Sequence, residues 1–336
     1  MEVLDGALER FAGTGPEFGG GLSSHGPMAV EALVRLDRAD AVERWVEGYL
    51  PRLQPEPGRV EPIGDWREAL GDFRRVTDWS GYFAHRFEEA PWLEVTSEWW
   101  PRLVPGLAAG ATHGIIRAAH AIRAVAESPE PARLAELARA LGYWAARYAE
   151  LPGTPRTGGN ASLDDAVRSL PPMREIPAGG LITDQLAGLG TVAAFPEAVG
   201  ALRPPVDVDA DLGELSRTFA RIFLTHGRRA PIAFLHAVTA PAAVRSVLPL
   251  LPGPLHRPTY DALWQVAAGI HSAFAARATP EPPPYGEPPG PEEVAARAVD
   301  NGDEHAIKLA EACLREHART PDPVYLHAAA RAAEIL

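Results

Sequence analysis

Apolar residues along this chain recur at spacings of three and four, the period that lines one face of a helix, and strict alternation is scarce. The period predicts helices over 27–37 and 40–53, with Asp40 as the N-cap of the second. Shorter helices are predicted over 64–75 and 92–103, carrying Trp66, Trp92, Trp99 and Trp100. Residues 107–128 are alanine-rich and apolar on most sides, as in a central buried helix, and another helix follows over 130–150. The pattern continues over 210–226, 230–249, 257–277, 292–300, 303–318 and 321–335. The best strand candidates, 60–63 and 180–183, are short. The expectation is an all-α fold.

Two stretches interrupt the helices. Residues 152–180 are rich in Gly, Pro and Thr, with one short capped helix starting near Ser162. Residues 279–291 (TPEPPPYGEPPGP) are proline-dense and predict an extended surface connection. Too little chain follows it for an independent core. It therefore reads as an internal loop, and 1–336 as a single large helical domain with long Pro/Gly-rich loops.

Composition narrows the function. A net charge of −12 with no basic tract argues against a nucleic-acid partner. The one cysteine, Cys313, excludes an intrachain disulfide and any multi-cysteine zinc site, and its apolar helical setting predicts a small core residue. No apolar run approaches transmembrane length and the N-terminus lacks the basic start of a signal peptide, so a cytoplasmic protein without a membrane partner is expected. The glycine-rich stretch 13–21 has neither the spacing nor the preceding strand of a dinucleotide fingerprint. A phosphate-binding loop, a G-x-S-x-G elbow and an H-E-x-x-H zinc helix are missing too, which removes the commonest flavin, nicotinamide, NTPase and hydrolase readings.

The candidate chemistry lies in the lysine and the histidines. Of 32 basic side chains, Lys308 is the only lysine. A lysine can lose its proton when buried, as arginine cannot, and then attack a carbonyl or take up carbon dioxide to give a metal-binding carbamate. The alternative is a surface lysine paired with Glu304 at i,i+4. Lys308 sits three residues after His305, on one helical face with it. Of the 11 histidines, His113, His120, His236 and His271 are embedded in apolar helical sequence, and His25 stands at the mouth of a helix. Each alone reads as a satisfied core or capping residue. Several on different helices of one core suggest a metal site, for which imidazole suits iron, copper, nickel or zinc.

At these residues the chain resembles the questin oxidase-like family. The matching pieces are Leu22-Ser-Ser-His25-Gly-Pro-Met28-Ala, Gly110-Ala-Thr-His113-Gly-Ile-Ile116, Phe234-Leu-His236-Ala-Val-Thr239 and Gly302-Asp-Glu-His305-Ala-Ile-Lys308, in family order from about residue 20 to 320. The resemblance implies a helical oxidoreductase that uses dioxygen to open a quinone ring of polyketide-type aromatics such as anthraquinones. It implies a mononuclear non-haem Fe(II) held by His25, His113, His236, His305 and a carboxylated Lys308. His271 is a substitute for His305, which would then orient Lys308. Where fungal relatives often have a further histidine, this chain has Arg117. The substrate is expected in an apolar pocket lined by tryptophans from 66–100. Beside this reading stand a metal-free or NADPH-dependent Baeyer–Villiger monooxygenase and a non-catalytic helical binding protein; the oligomeric state is left open.

Overall fold

The computed structural model describes residues 2–175, 180–277, 280–282 and 286–336. The fold is all-α, and the chain divides into two compact units, Met1–Ala149 and Glu150–Leu336. The first unit contains α1 (Glu2–Phe11), a hairpin of β1 (Glu17–Phe18) and β2 (Leu22–Ser23), α2 (Gly26–Arg35), α3 (Val42–Tyr49), α4 (Trp66–Ala69), α5 (Val76–Glu89), α6 (Trp92–Leu103), α7 (His113–Glu127) and α8 (Pro131–Ala146). The second contains α9 (Leu163–Ser169), α10 (Ile182–Ala187), α11 (Phe195–Gly200), α12 (Val208–His226), α13 (Pro231–Val247), α14 (His256–Phe274), α15 (Pro291–Asn301), α16 (Glu304–Arg319) and α17 (Pro323–Ile335).

In the first unit, α8 packs against both α5 and α7, and α2 lies on α7. The core is aromatic: Trp79, Phe83 and Trp99 stack or meet edge to face, and Trp100 meets Trp144. All five are fully buried in ring-to-ring contacts, so Trp99 and Trp100 form core rather than the predicted pocket wall. In the second unit α13 is central, packed by α12, α14 and α16, and α17 covers α16. With its continuation α13 forms a 20-residue helix, Pro231–Leu250, apolar and long enough to cross a bilayer by length and composition. The expectation that no apolar run approaches transmembrane length thus fails by length and composition, but 83% of the helix's apolar window is buried inside the fold, the environment of a core helix.

Local chemistry moved several boundaries. Asp40 lies inside a 3₁₀ turn, Ala39–Ala41, and makes no cap; α3 starts after Ala41. The predicted helix 64–75 breaks into α4 and a 3₁₀ turn because Gly71 is left-handed (φ 81°) and the carboxyls of Asp65 and Asp72 each cap a fresh start. Neither 60–63 nor 180–183 forms a strand; among the described residues the β1–β2 pair is the only sheet. Ser162 does cap α9, as expected. Of the predicted extended segments, 176–179 and, within 279–291, residues 279 and 283–285 lie outside the described residues. Glu281 is anchored: its N–H donates to the Thr225 carbonyl at 2.8 Å, and its carboxylate pairs with Arg228 and Arg331.

Candidate functional site

In the first unit the structure brings His25 and His113 together. His25 follows β2, and its backbone N–H donates to the Tyr49 hydroxyl at 2.8 Å, while the N–H of Ser24 donates to the Pro16 carbonyl at 2.8 Å. His113 opens α7 after three successive left-handed residues, Gly110, Ala111 and Thr112 (φ 53°, 56° and 74°). For the two non-glycines that conformation costs about 1 kcal/mol or more each and persists only where the surroundings enforce it. It also explains why α7 begins at 113 rather than 107. The imidazoles of His25 and His113 are both buried, with Nε2 atoms 2.9 Å apart and ring centroids 4.5 Å apart. His113 Nδ1 lies against the Gly110 carbonyl, which can only accept. The proton is therefore on Nδ1, and Nε2 presents its lone pair to His25.

In the second unit the corresponding group is His236, His305 and Lys308. Gly302 (φ 77°) ends α15 in the left-handed conformation, and Asp303 caps α16. The Gly-Asp-Glu-His motif is thus a helix–helix turn. The Asp303 carboxylate accepts from the His305 backbone N–H at 2.8 Å and from His305 Nδ1 at 3.1 Å. Burial alone would raise the Asp303 carboxyl, but the bonds and charge of His305 outweigh it and hold it below its usual range. As an acceptor it fixes the His305 proton on Nδ1, so Nε2 carries a lone pair. Burial pushes the His305 imidazole below its ordinary value, with the bond to Asp303 opposing and Lys308 adding to the fall. His236, on α13, is fully buried, with its ring centroid 5.9 Å from that of His305.

Lys308 lies one helical turn beyond His305 and is 1% exposed. Its Nζ has no hydrogen-bond partner among the described residues. Burial lowers the amine from 10.5 to about 7, against the pull of Glu304 and Asp303. The surface ion pair with Glu304 is therefore not formed.

Of the other residues singled out, His120 and Arg117 are engaged in ion pairs. His120 Nδ1 pairs with Glu31 at 2.7 Å, and Arg117 makes a buried two-pronged bond to Glu136 at 2.6 and 2.9 Å. His271 lies beside His226, ring centroids 6.4 Å apart, and burial pushes it down to about 4. Cys313 is buried on α16, and burial raises its thiol. Tyr49 and Tyr143 carry no signal in the sequence, because they hold the His25 segment from 24 and 120 positions away, beyond the reach of any local pattern.

The cap can be tested apart from any activity. Asp303→Ala is expected to lower stability by about 1 kcal/mol in urea unfolding, and Asp303→Asn by much less, because asparagine caps as well.

No protein-family model matches this chain, and no curated protein matches it.

Proposed function

We propose that this protein is an iron-dependent oxygenase that cleaves a quinone ring of a polyketide-type aromatic, as the questin oxidase-like family it resembles does. The observation that carries the reading is Lys308: the only lysine of the chain, buried, without a hydrogen-bond partner among the described residues, and shifted to about 7. A buried amine stranded in this way destabilises the fold, a cost that a task for the free amine explains. As the free base it attacks carbon dioxide: the nitrogen lone pair forms the C–N bond, one amine proton leaves to solvent, and an anionic carbamate remains. Arginine offers no such route.

The donors fit ferrous iron. Imidazole nitrogens suit iron, and an anionic oxygen beside them is what the carboxylate supplies in other non-haem iron sites. On the resemblance, the ligands would be His25, His113, His236, His305 and a carboxylated Lys308. His25 and His113, whose Nε2 atoms lie 2.9 Å apart, could both turn a lone pair to one metal ion. When bound, iron supplies the one-electron chemistry with dioxygen that organic side chains lack. The chain's own groups prepare for it: Asp303 aims His305 Nε2 outward, the Gly110 carbonyl does the same for His113, and burial lets the Lys308 amine shed its proton near neutral pH.

The full chain purified without oxygen and supplied with ferrous iron is expected to hold about one iron per chain. It should consume oxygen with a hydroxyanthraquinone in the absence of NADPH, and lose iron in carbon-dioxide-free buffer. Turnover that needs NADPH and ignores iron would replace this reading with a Baeyer–Villiger monooxygenase. Quinone binding with neither iron nor turnover would leave a binding protein.

A further inference from the structure

We infer that Tyr143 is a positioning residue for the His25–His113 pair, its phenol clamping the two chain segments that deliver these histidines. On one side is the hairpin: Glu17 and Ser23 are cross-strand partners of β1 and β2, and Ser23 lies two residues before His25. The Tyr143 hydroxyl donates to Glu17 Oε1 at 2.9 Å, so the 2.6 Å contact with Ser23 Oγ is one in which serine donates. Glu17 is itself gripped by the guanidinium of Arg147, the C-cap of α8, through Nε at 2.6 Å and a second close contact. Burial and the Glu17 charge push the phenol well above its ordinary value, so it stays a donor at all working pH.

On the other side is the turn that ends in His113. A Cβ on Gly110 would lie 2.6 Å from the same hydroxyl, so the phenol sits directly against this backbone, and only glycine leaves room for it. Gly110 begins the left-handed run, and its carbonyl fixes the His113 tautomer. Thr112 precedes the helix without capping it, because its left-handed backbone turns the hydroxyl away from the first amides; that hydroxyl is buried and has no partner among the described residues. The turn is thus not held by its own cap. Backbone bonds such as that from the Ala111 N–H to the Ala108 carbonyl at 2.9 Å close it, and the phenol from α8 backs it at Gly110. One hydroxyl, 120 residues from Ser23 in sequence, therefore sets the spacing of His25 and His113.

The consequence for metal binding rests on the proposed function; the clamp itself does not. In metal-free, ¹⁵N-histidine-labelled protein, long-range proton–nitrogen spectra should show His113 as a single tautomer with its proton on Nδ1. Tyr143→Phe, which removes only the hydroxyl, should turn this into a mixture of tautomers and weaken ferrous iron binding about 10–100-fold, the range for loss of an outer support. Ser23→Ala, which removes one arm, should shift the same signals to a smaller extent and serves if the phenylalanine variant does not fold. Tyr325→Phe removes a tyrosine hydrogen bond to the Gly213 carbonyl in the second unit and should leave the His113 signals unchanged. A wild-type His113 tautomer in Tyr143→Phe and Ser23→Ala overturns the inference whatever the iron affinity. A mixed tautomer with undiminished iron affinity sustains the clamp and overturns the iron role of the pair.

Discussion

Lys308→Met is expected to make the metal-free protein more stable at pH 6 while abolishing iron binding and turnover. Methionine fills a similar volume without an amine to desolvate. The lysine's folded-state value, about 7, lies below the ordinary 10.5. The folded protein therefore resists protonation that the unfolded chain accepts. The penalty is fully present below pH 7, shrinks as pH rises from 7 to 10.5, and is absent above. The gain from methionine should be on the order of a few kcal/mol at pH 6 and much smaller at pH 9.5, read from urea midpoints in chelator and carbon-dioxide-free buffer. Turnover should fall by more than the ~100-fold that marks loss of an outer-shell partner, since the proposed anionic donor would itself be gone. Lys308→Arg should be the worse substitution for folding, by about 3–5 kcal/mol, because a charge that cannot be shed is left buried and unpaired. Equal gains at both pH values would refute the burial argument; undiminished iron binding in the methionine variant would refute the ligand role.

Arg245→Leu is expected to destabilise the protein by about 3–5 kcal/mol, among the largest effects of any single substitution away from the histidines. The Arg245 guanidinium, on α13, reaches Glu316 Oε2 on α16 at 2.5 Å and Asp209 Oδ2 on α12 at 2.8 Å. It joins three helices of the second unit. Glu316 is 0% exposed, and its Oε1 has no partner among the described residues even with the arginine present. Removing the arginine leaves a buried carboxylate with neither water nor counter-charge. The double variant Arg245→Leu/Glu316→Leu should be closer to wild type than either single one, because apolar pairs replace buried ion pairs at little loss. Urea unfolding of the three proteins forms the cycle; a double variant as unstable as the sum of the singles would show that packing, not stranded charge, sets the effect.

The long amphipathic helices were legible because burial of one face imposes a period on many residues. Residues 92–103 and the helices from 208 onward fall within a few positions of their predicted limits. What escaped had little local signal. In α5, Thr77, Ser80 and Gly81 dilute the helical pattern, and the helix stands because Trp79 and Phe83 are buried in its packing on α8. α1 is a short amphipathic stretch whose buried face, Leu4, Ala7, Leu8 and Phe11, matters only once α2 and α8 are beside it. The hairpin turns through Gly19, Gly20 and Gly21, all left-handed, and glycines announce a turn without saying what it joins. At the site, apolar flanks marked His113 and His236 as buried, and the solitary Lys308 invited the question that its burial answers. The meeting of His25 with His113, and the tyrosines that arrange it, depends on contacts 24 to 120 residues apart, which no window of sequence contains.

The carboxylate of Asp303 both starts α16 and aims the imidazole of His305. The first turn of a helix is where local opening begins, at a free energy well below that of global unfolding. When this turn opens, both bonds break together, and His305 swings away while the remainder of α16 stays in place. A metal held through His305 would then exchange at the rate of one helical turn fraying. Its release should follow the amide hydrogen exchange of residues 304–307 and be indifferent to substitutions that change only the stability of the whole unit.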